Sequence, residues 1–158
     1  MKTLELSSDT KDIILESGYF KMVDGRKKLA QDLKCIIVEH LNSDPYNPDY
    51  GSRFMELIGE VYDANLIQAT LATEVIDVLN AYQRLQLNRV ASEQWQEWTT
   101  PSGFMSQLVQ SKSELISQIK EVNIDVDTDK RRIGISVVVI TQENTEVQLN
   151  SGQFVMVF

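Results

Sequence analysis

Reactive and metal-binding side chains are scarce in this sequence. There is 1 cysteine and 1 histidine in 158 residues. A single cysteine excludes an internal disulfide, and with a single histidine it leaves no set of Cys/His ligands for zinc. Only 3 prolines and 7 glycines are present, which excludes collagen-like and Pro/Gly-rich low-complexity chains. The longest apolar runs, such as Ile133 to Ile140, fall far short of the ~20 residues of a membrane span. Positive charge is in deficit, with Lys+Arg 15 against Asp+Glu 23 and a net charge of −8. Such a chain repels phosphate, so a nucleic-acid groove is not expected without a local basic patch. The opening Met1-Lys2-Thr3-Leu4-Glu5 carries acid too early for a secretory leader. What is present, 42% hydrophobic and 24% charged residues, is ordinary for a soluble globular protein, and the length suits one domain over residues 1–158.

Periodicity divides the chain into elements. Asp12 to Glu16 and Tyr19 to Val23, joined by Ser17-Gly18, read as a hairpin that Asp24-Gly25 ends. From Arg26 to Leu41 the period is helical, with Leu29, Leu33, Ile36, Ile37 and Leu41 on one stripe and Lys27, Lys28, Gln31, Asp32 and Glu39 off it. Cys35 lies in this run and is expected to be a small buried side chain. Asn42 to Ser52 holds two of the prolines and reads as a structured turn anchored by Tyr46 and Tyr50. Gly51 is expected at positive φ. Ser52 is placed to cap a short helix, Arg53 to Ile58, before Gly59. A long helix follows from about Ala64 to Val90, burying Ile67, Leu71, Val75, Val78, Leu79, Tyr82 and Leu85. A polar stretch to Thr100 carries Trp95 and Trp98. A further helix is expected from Phe104 to Lys120. Val122 to Asp127 alternates as a strand. Ile133 to Ile140 reads as a central strand covered on both faces. Val147 to Leu149 and Phe154 to Phe158 supply a third, kinked at Ser151-Gly152. The fold class is α+β: helices packed on a small antiparallel β-sheet, with an N-terminal hairpin and C-terminal strands.

Chemistry finds little support in these residues. His40 reads as a histidine at a helix C-terminus, where partial positive charge is favourable. Asp125-x-Asp127-x-Asp129 resembles the start of a calcium loop, but Lys130 and Ser136 stand where that loop needs Gly and Glu. Glu56 and Glu60, one helical turn apart, are the carboxylate pair open to a glycosidase reading. No Gly-rich phosphate loop and no Gly-x-Ser-x-Gly elbow occur. No catalytic residue, metal or cofactor is expected.

Two stretches carry a resemblance. Gly25-x3-Leu29-x-Gln31-Asp32-Leu33, followed by Asp44-Pro45-Tyr46-x-Pro48-x-Tyr50-Gly51-Ser52, is similar to the wedge-protein family of contractile phage tails. That family includes the baseplate sheath initiator and is related to a baseplate component of type VI secretion systems. The resemblance covers about residues 24–84 and 119–142. Of the family's Glu-Pro-Arg near the end of the long helix only Arg84 has a counterpart, and residues 85–118 read as an insertion.

The resemblance implies a non-enzymatic structural subunit of the tail baseplate wedge. It would stand near the tail tube, in several copies of a ring-like assembly, and template the sheath by β-strand exchange. Its partners would be other wedge proteins, the sheath protein and tail tube or tube-initiator proteins, with no nucleic acid and no membrane. It would reside in the virion after assembly in the host cytoplasm. The residues expected at partner contacts are Asp44, Pro45, Tyr46, Tyr50, Gly51, Arg84, Trp95, Trp98, Phe154, Val155, Met156, Val157 and Phe158. The alternatives are a tail-associated cell-wall hydrolase with Glu56 or Glu60 as general acid, and a small cellular adaptor domain.

Overall fold

The structure is a computed structural model that describes residues 2–7, 12–60, 64–97, 111–127, 130 and 132–155. It is α+β. In chain order come short strands β1 (Thr3–Leu4), β2 (Leu15–Glu16), β3 (Tyr19–Phe20) and β4 (Met22–Val23), then helices α1 (Gly25–Val38), α2 (Phe54–Glu60) and α3 (Ala64–Glu97). A single 3-10 turn, Lys112–Glu114, leads into strands β5 (Ile116–Asp127), β6 (Arg132–Thr141) and β7 (Glu146–Val155). The last three form an antiparallel sheet in the order β5-β6-β7. Only the tip of the hairpin read from the sequence forms, with β2 paired to β3 across Ser17-Gly18; Met22 and Val23 pair instead with β1, and Ile13 bridges to Leu6.

One continuous core joins the two long helices to the sheet. Leu29, Leu33, Ile36 and Ile37 of α1 and Ile67, Leu71, Val75 and Leu79 of α3 meet Ile133, Ile135, Val137 and Val139 of β6. The inward side chains of β6 are the odd-numbered ones, as strand alternation requires. Its outer face is not covered as expected, since no second layer lies over it among the described residues and its even-numbered side chains are no more than half-buried. Val138 and Ile140 are half-buried there between polar neighbours on the flanking strands. Lys120 of β5 reaches across β6 to pair with Glu146 of β7. The expected kink in β7 is a shift of register, since Ile135 pairs with Ser151 but Ile133 with Phe154.

Several expectations need correction. The helix expected from Phe104 to Lys120 does not exist over its described part, which is the 3-10 turn and the start of β5; residues 104–110 lie outside the described residues. The cause is bulging. β5 carries register shifts between Ile116 and Gln118 and between Ile119 and Glu121. Each extra residue stretches the inward spacing from two to three, so Ile116, Ile119 and Val122 mimic a helical stripe. Second, α1 ends at Val38 rather than Leu41, so His40 lies outside the helix and pairs with Ser52 in an isolated bridge. Third, α2 continues through Gly59 and α3 continues to Glu97, which puts Trp95 on a helix. Cys35 is half-buried rather than buried.

Lys28, read as an off-stripe surface residue, is only 4% exposed. Its ammonium meets Asp32 at 2.5 Å and Glu114 at 3.8 Å. The Glu114 carboxylate also accepts the Gly25 N–H at 3.1 Å. Asp24, the residue before α1, makes no side-chain cap. The N-terminus of α1 is therefore capped by an acid 89 positions away, where the helix dipole favours negative charge. Removing Glu114 leaves Lys28 with Asp32 but takes away the cap of α1 and one of the two acids that face the buried ammonium. Glu114→Ala is expected to cost about 2–3 kcal/mol in urea unfolding, the worth of a hydrogen bond to a charged group, whereas Asp24→Ala is expected to cost at most about 1 kcal/mol.

Candidate functional site

The Asn42–Ser52 turn is held by its own side chains. Asp44 accepts the Tyr46 N–H at 2.8 Å and the Asn47 side-chain amide at 3.0 Å. These bonds, that from Asn47 first, hold the Asp44 carboxyl below its usual range. The turn closes onto the end of α1, where Ser52 N–H donates to Glu39 C=O at 2.8 Å and Leu41 N–H to Ser52 C=O at 3.0 Å. Ser52 Oγ donates to Ile37 C=O at 2.5 Å and accepts the Phe54 N–H at 3.2 Å, so it ties α1 to α2. Gly51 has φ of +116°, and a Cβ there would lie 2.6 Å from His40 O. The expected positive φ is present, and the close approach of two backbones adds a second demand for glycine.

Around this turn a small polar cavity of about 210 Å³ is lined by Asp44, Asn47, Tyr50, Asp32, Tyr82 and Arg89, among others. Tyr82 donates its hydroxyl to Asp32 at 3.1 Å. Burial pushes the Tyr82 and Tyr50 hydroxyls upward, and the Asp32 charge adds to it. The structure thus brings Asp44 and Tyr50 together, with Gly51 beneath them. Tyr46 is 92% exposed and Pro45 is exposed. Arg84 does not join them; its guanidinium returns to Asn80 C=O of its own helix at 3.3 Å. Arg89 faces the turn instead. Sequence reasoning missed it because it lay in the stretch treated as an insertion, although 82 and 89 are two helical turns apart and share a face of α3. Phe154 and Val155 pair with Ile133 and Arg132 in the chain's own sheet. Trp98, Met156, Val157 and Phe158 lie outside the described residues, as do the side chains of Trp95 and Glu60.

The hydrolase reading gains nothing from the geometry. A general acid needs a carboxyl shielded in apolar surroundings. Glu56 is 41% exposed and lies between Arg53 Nε at 3.2 Å and His40 Nδ1 at 3.3 Å. Asp127 is engaged by Lys130, through its N–H at 3.0 Å and its ammonium at 2.9 Å. No cluster of three or more metal-ligating side chains occurs among the described residues. Nor is any described helix long and apolar enough to cross a membrane.

The two outer edges of the sheet differ. Along β5, α3 supplies side-chain amides to the strand backbone. Gln86 bonds Glu114 C=O at 2.8 Å and Ile116 N–H at 3.0 Å. Gln83 donates to Ser117 C=O at 3.0 Å, and Gln68 donates to Ile124 C=O at 2.8 Å. β7 is the other edge, with no further strand beyond it among the described residues. A groove of about 400 Å³ runs beside it, between Gln148 to Asn150, α1 and the N-terminal segment Glu5 to Ser7. The far wall is closed by Gln31, whose side-chain amide accepts from Leu6 N–H and donates to Leu4 C=O, both at 2.9 Å.

No protein-family model, curated protein or solved structure matches the chain. Gly51→Ala is expected to lower stability by about 2–5 kcal/mol, from overpacking plus strain. Gly18→Ala, at φ +82° with nothing within 4 Å, is expected to lose only about 1–2 kcal/mol. Thermal unfolding of the two variants measures the difference.

Proposed function

We propose that the protein is a non-enzymatic structural subunit of a contractile phage tail baseplate wedge, and that it templates sheath assembly by lending the edge of its sheet to a partner strand. The observation that carries this reading is the contrast between the two edges. An edge strand is a ready template for pairing, and proteins protect edges that are not used. Bulges and the α3 glutamines protect β5, while β7 from Glu146 to Asn150 keeps a regular register beside a groove. A segment laid in that groove would gain main-chain hydrogen bonds from β7 and side-chain pockets from α1.

The motif that carries the resemblance supports the same reading. Gln31 holds the far wall of the groove, Asp32 ties α1 to Tyr82 of α3, and Leu33 is fully buried. Of the residues that carry the resemblance, Gln31 thus lines the groove, while Asp32 and Leu33 seat α1 against the rest of the core. On this reading the partners are the sheath protein, tube or tube-initiator proteins and other wedge proteins, and the location is the tail baseplate of the virion.

Charged side chains on an exposed edge discourage strand addition. Gln148→Lys with Asn150→Lys is therefore expected to leave the fold unchanged by circular dichroism. In a reconstitution with tail sheath and tube proteins of the same source, it is expected to reduce sheath nucleation at least tenfold. Sheath growth at the unaltered rate on the doubly substituted protein contradicts the reading.

A further inference from the structure

The groove beside β7 carries charge of the sign that the chain as a whole lacks. Its α1 wall runs from Lys27 through Ala30, Gln31 and Lys34 to Cys35, which share one face of the helix. Lys27 and Lys34 stand toward the two ends of that wall, about 10 Å apart along the axis. The groove is apolar at its floor, where Val23 and Leu149 line it and are buried. Glu5 is the one acid among the described lining residues, and its carboxylate already faces Lys21 at 3.5 Å. The lining thus sets two cations against one matched acid, in a chain of net charge −8.

Lys27 is exposed and has no ion-pair partner among the described residues. It lies in the first turn of α1, which contains no acid, where positive charge opposes the helix dipole. Its neighbour Lys28 is offset within the fold by Asp32 and Glu114. Lys27 is left to the groove, at a small cost to the helix.

We propose that the segment received by β7 is acidic, and that its side chains facing α1 follow the pattern acid-x-apolar-x-acid. The two carboxylates meet Lys27 and Lys34, and the apolar residue between them sits over Val23 and Leu149. The proposal rests on the strand-addition reading above and adds the chemistry of the partner. In a strand, positions i, i+2 and i+4 share a face, and i and i+4 lie about 13–14 Å apart. The flexible stems of the lysines close the difference from the helical spacing. An apolar centre inside a charged rim is the anatomy of a protein interface, and charge complementarity selects the partner. A second copy of the chain does not meet this demand through its own free edge. Val147 to Asn150 contains no acid, and Glu146 is engaged by Lys120.

The test titrates three synthetic peptides of about nine residues, the length of a strand, into the isotope-labelled full chain. The first is threonine-rich with a central Glu-Thr-Val-Thr-Glu. The second has lysine at both glutamate positions. The third keeps the glutamates and replaces the two central threonines by proline, which removes backbone donors. The first is expected to saturate, with amide shifts from Glu146 to Asn150 and from Lys27 to Cys35, and with affinity falling as salt rises. The second is expected to bind at least tenfold more weakly, and the third not to saturate. Lys27→Glu with Lys34→Glu is expected to reverse the order of the first two peptides, and Lys27→Glu alone to narrow the gap between them. Thermal unfolding checks that the variants fold; Lys27→Glu is expected to melt no lower than the parent chain, since it places an acid in the first turn of α1. Equal shifts at β7 from the glutamate and lysine peptides would overturn the acidic partner and leave strand addition standing. Equal binding of the proline peptide would show charge attraction without strand addition and overturn the proposal. Failure of every peptide to shift β7 would refute strand addition, and the proposal with it. A dimer in sedimentation that Gln148→Lys with Asn150→Lys abolishes would also overturn it, because a second copy would then be the occupant.

Discussion

Every strand at the edge of a sheet leaves a row of backbone donors and acceptors unpaired, and those groups must find partners in protein or water. A three-stranded sheet has two such rows, and the rest of this molecule is arranged around the difference between them. On the β5 side, Gln68, Gln83 and Gln86 of α3 supply amides to the strand backbone, and two bulges distort the register. On the β7 side the neighbouring wall is drawn back and held by Gln31. The groove that remains is bounded by the β7 edge, by Lys27, Gln31, Lys34 and Cys35 of α1, and by Glu5 to Ser7.

The frame around that groove depends on a few long-range polar contacts. Glu114, 1% exposed, joins the N-terminus of α1 to the entry of β5 and faces Lys28. Lys28 shares Asp32 with the Tyr82 hydroxyl, so α1, α3 and the sheet meet through one network. Buried charge of this kind adds little net stability against an apolar replacement but penalises other arrangements heavily. The turn after α1 acts in the same way from the other end. Ser52 and Gly51 lock it against the Glu39 and His40 backbone.

Much of this was legible in the sequence where one physical signal dominated. The stripes of α1 and α3, the alternation of β6, the Ser17-Gly18 hairpin and the positive φ of Gly51 follow from periodicity and glycine chemistry alone. The bulged start of β5 was not legible, because inward residues at 116, 119 and 122 satisfy a helical template as well as a strand with two insertions. The polar network was hidden for a different reason. Lys28, Asp32 and Glu114 are ordinary surface residue types, and only the packing of three elements buries Lys28 and Glu114 and half-buries Asp32. Of the candidate contacts, Asp44, Tyr50 and Gly51 fall together, while Arg84 gives way to Arg89, one face of α3 further round. The groove itself had no signature, since a free edge is a property of topology and not of any residue.

The proposed role therefore rests on one asymmetry of the backbone, and amide hydrogen exchange of the free chain reads it directly. In β7 from Glu146 to Asn150, amides that point away from β6 are predicted to exchange far faster than their neighbours bonded to it, giving a two-residue alternation. Ile116, whose N–H is held by Gln86, is predicted to exchange slowly. Slow exchange at every amide of that β7 segment in the isolated protein, with no alternation, would contradict the account.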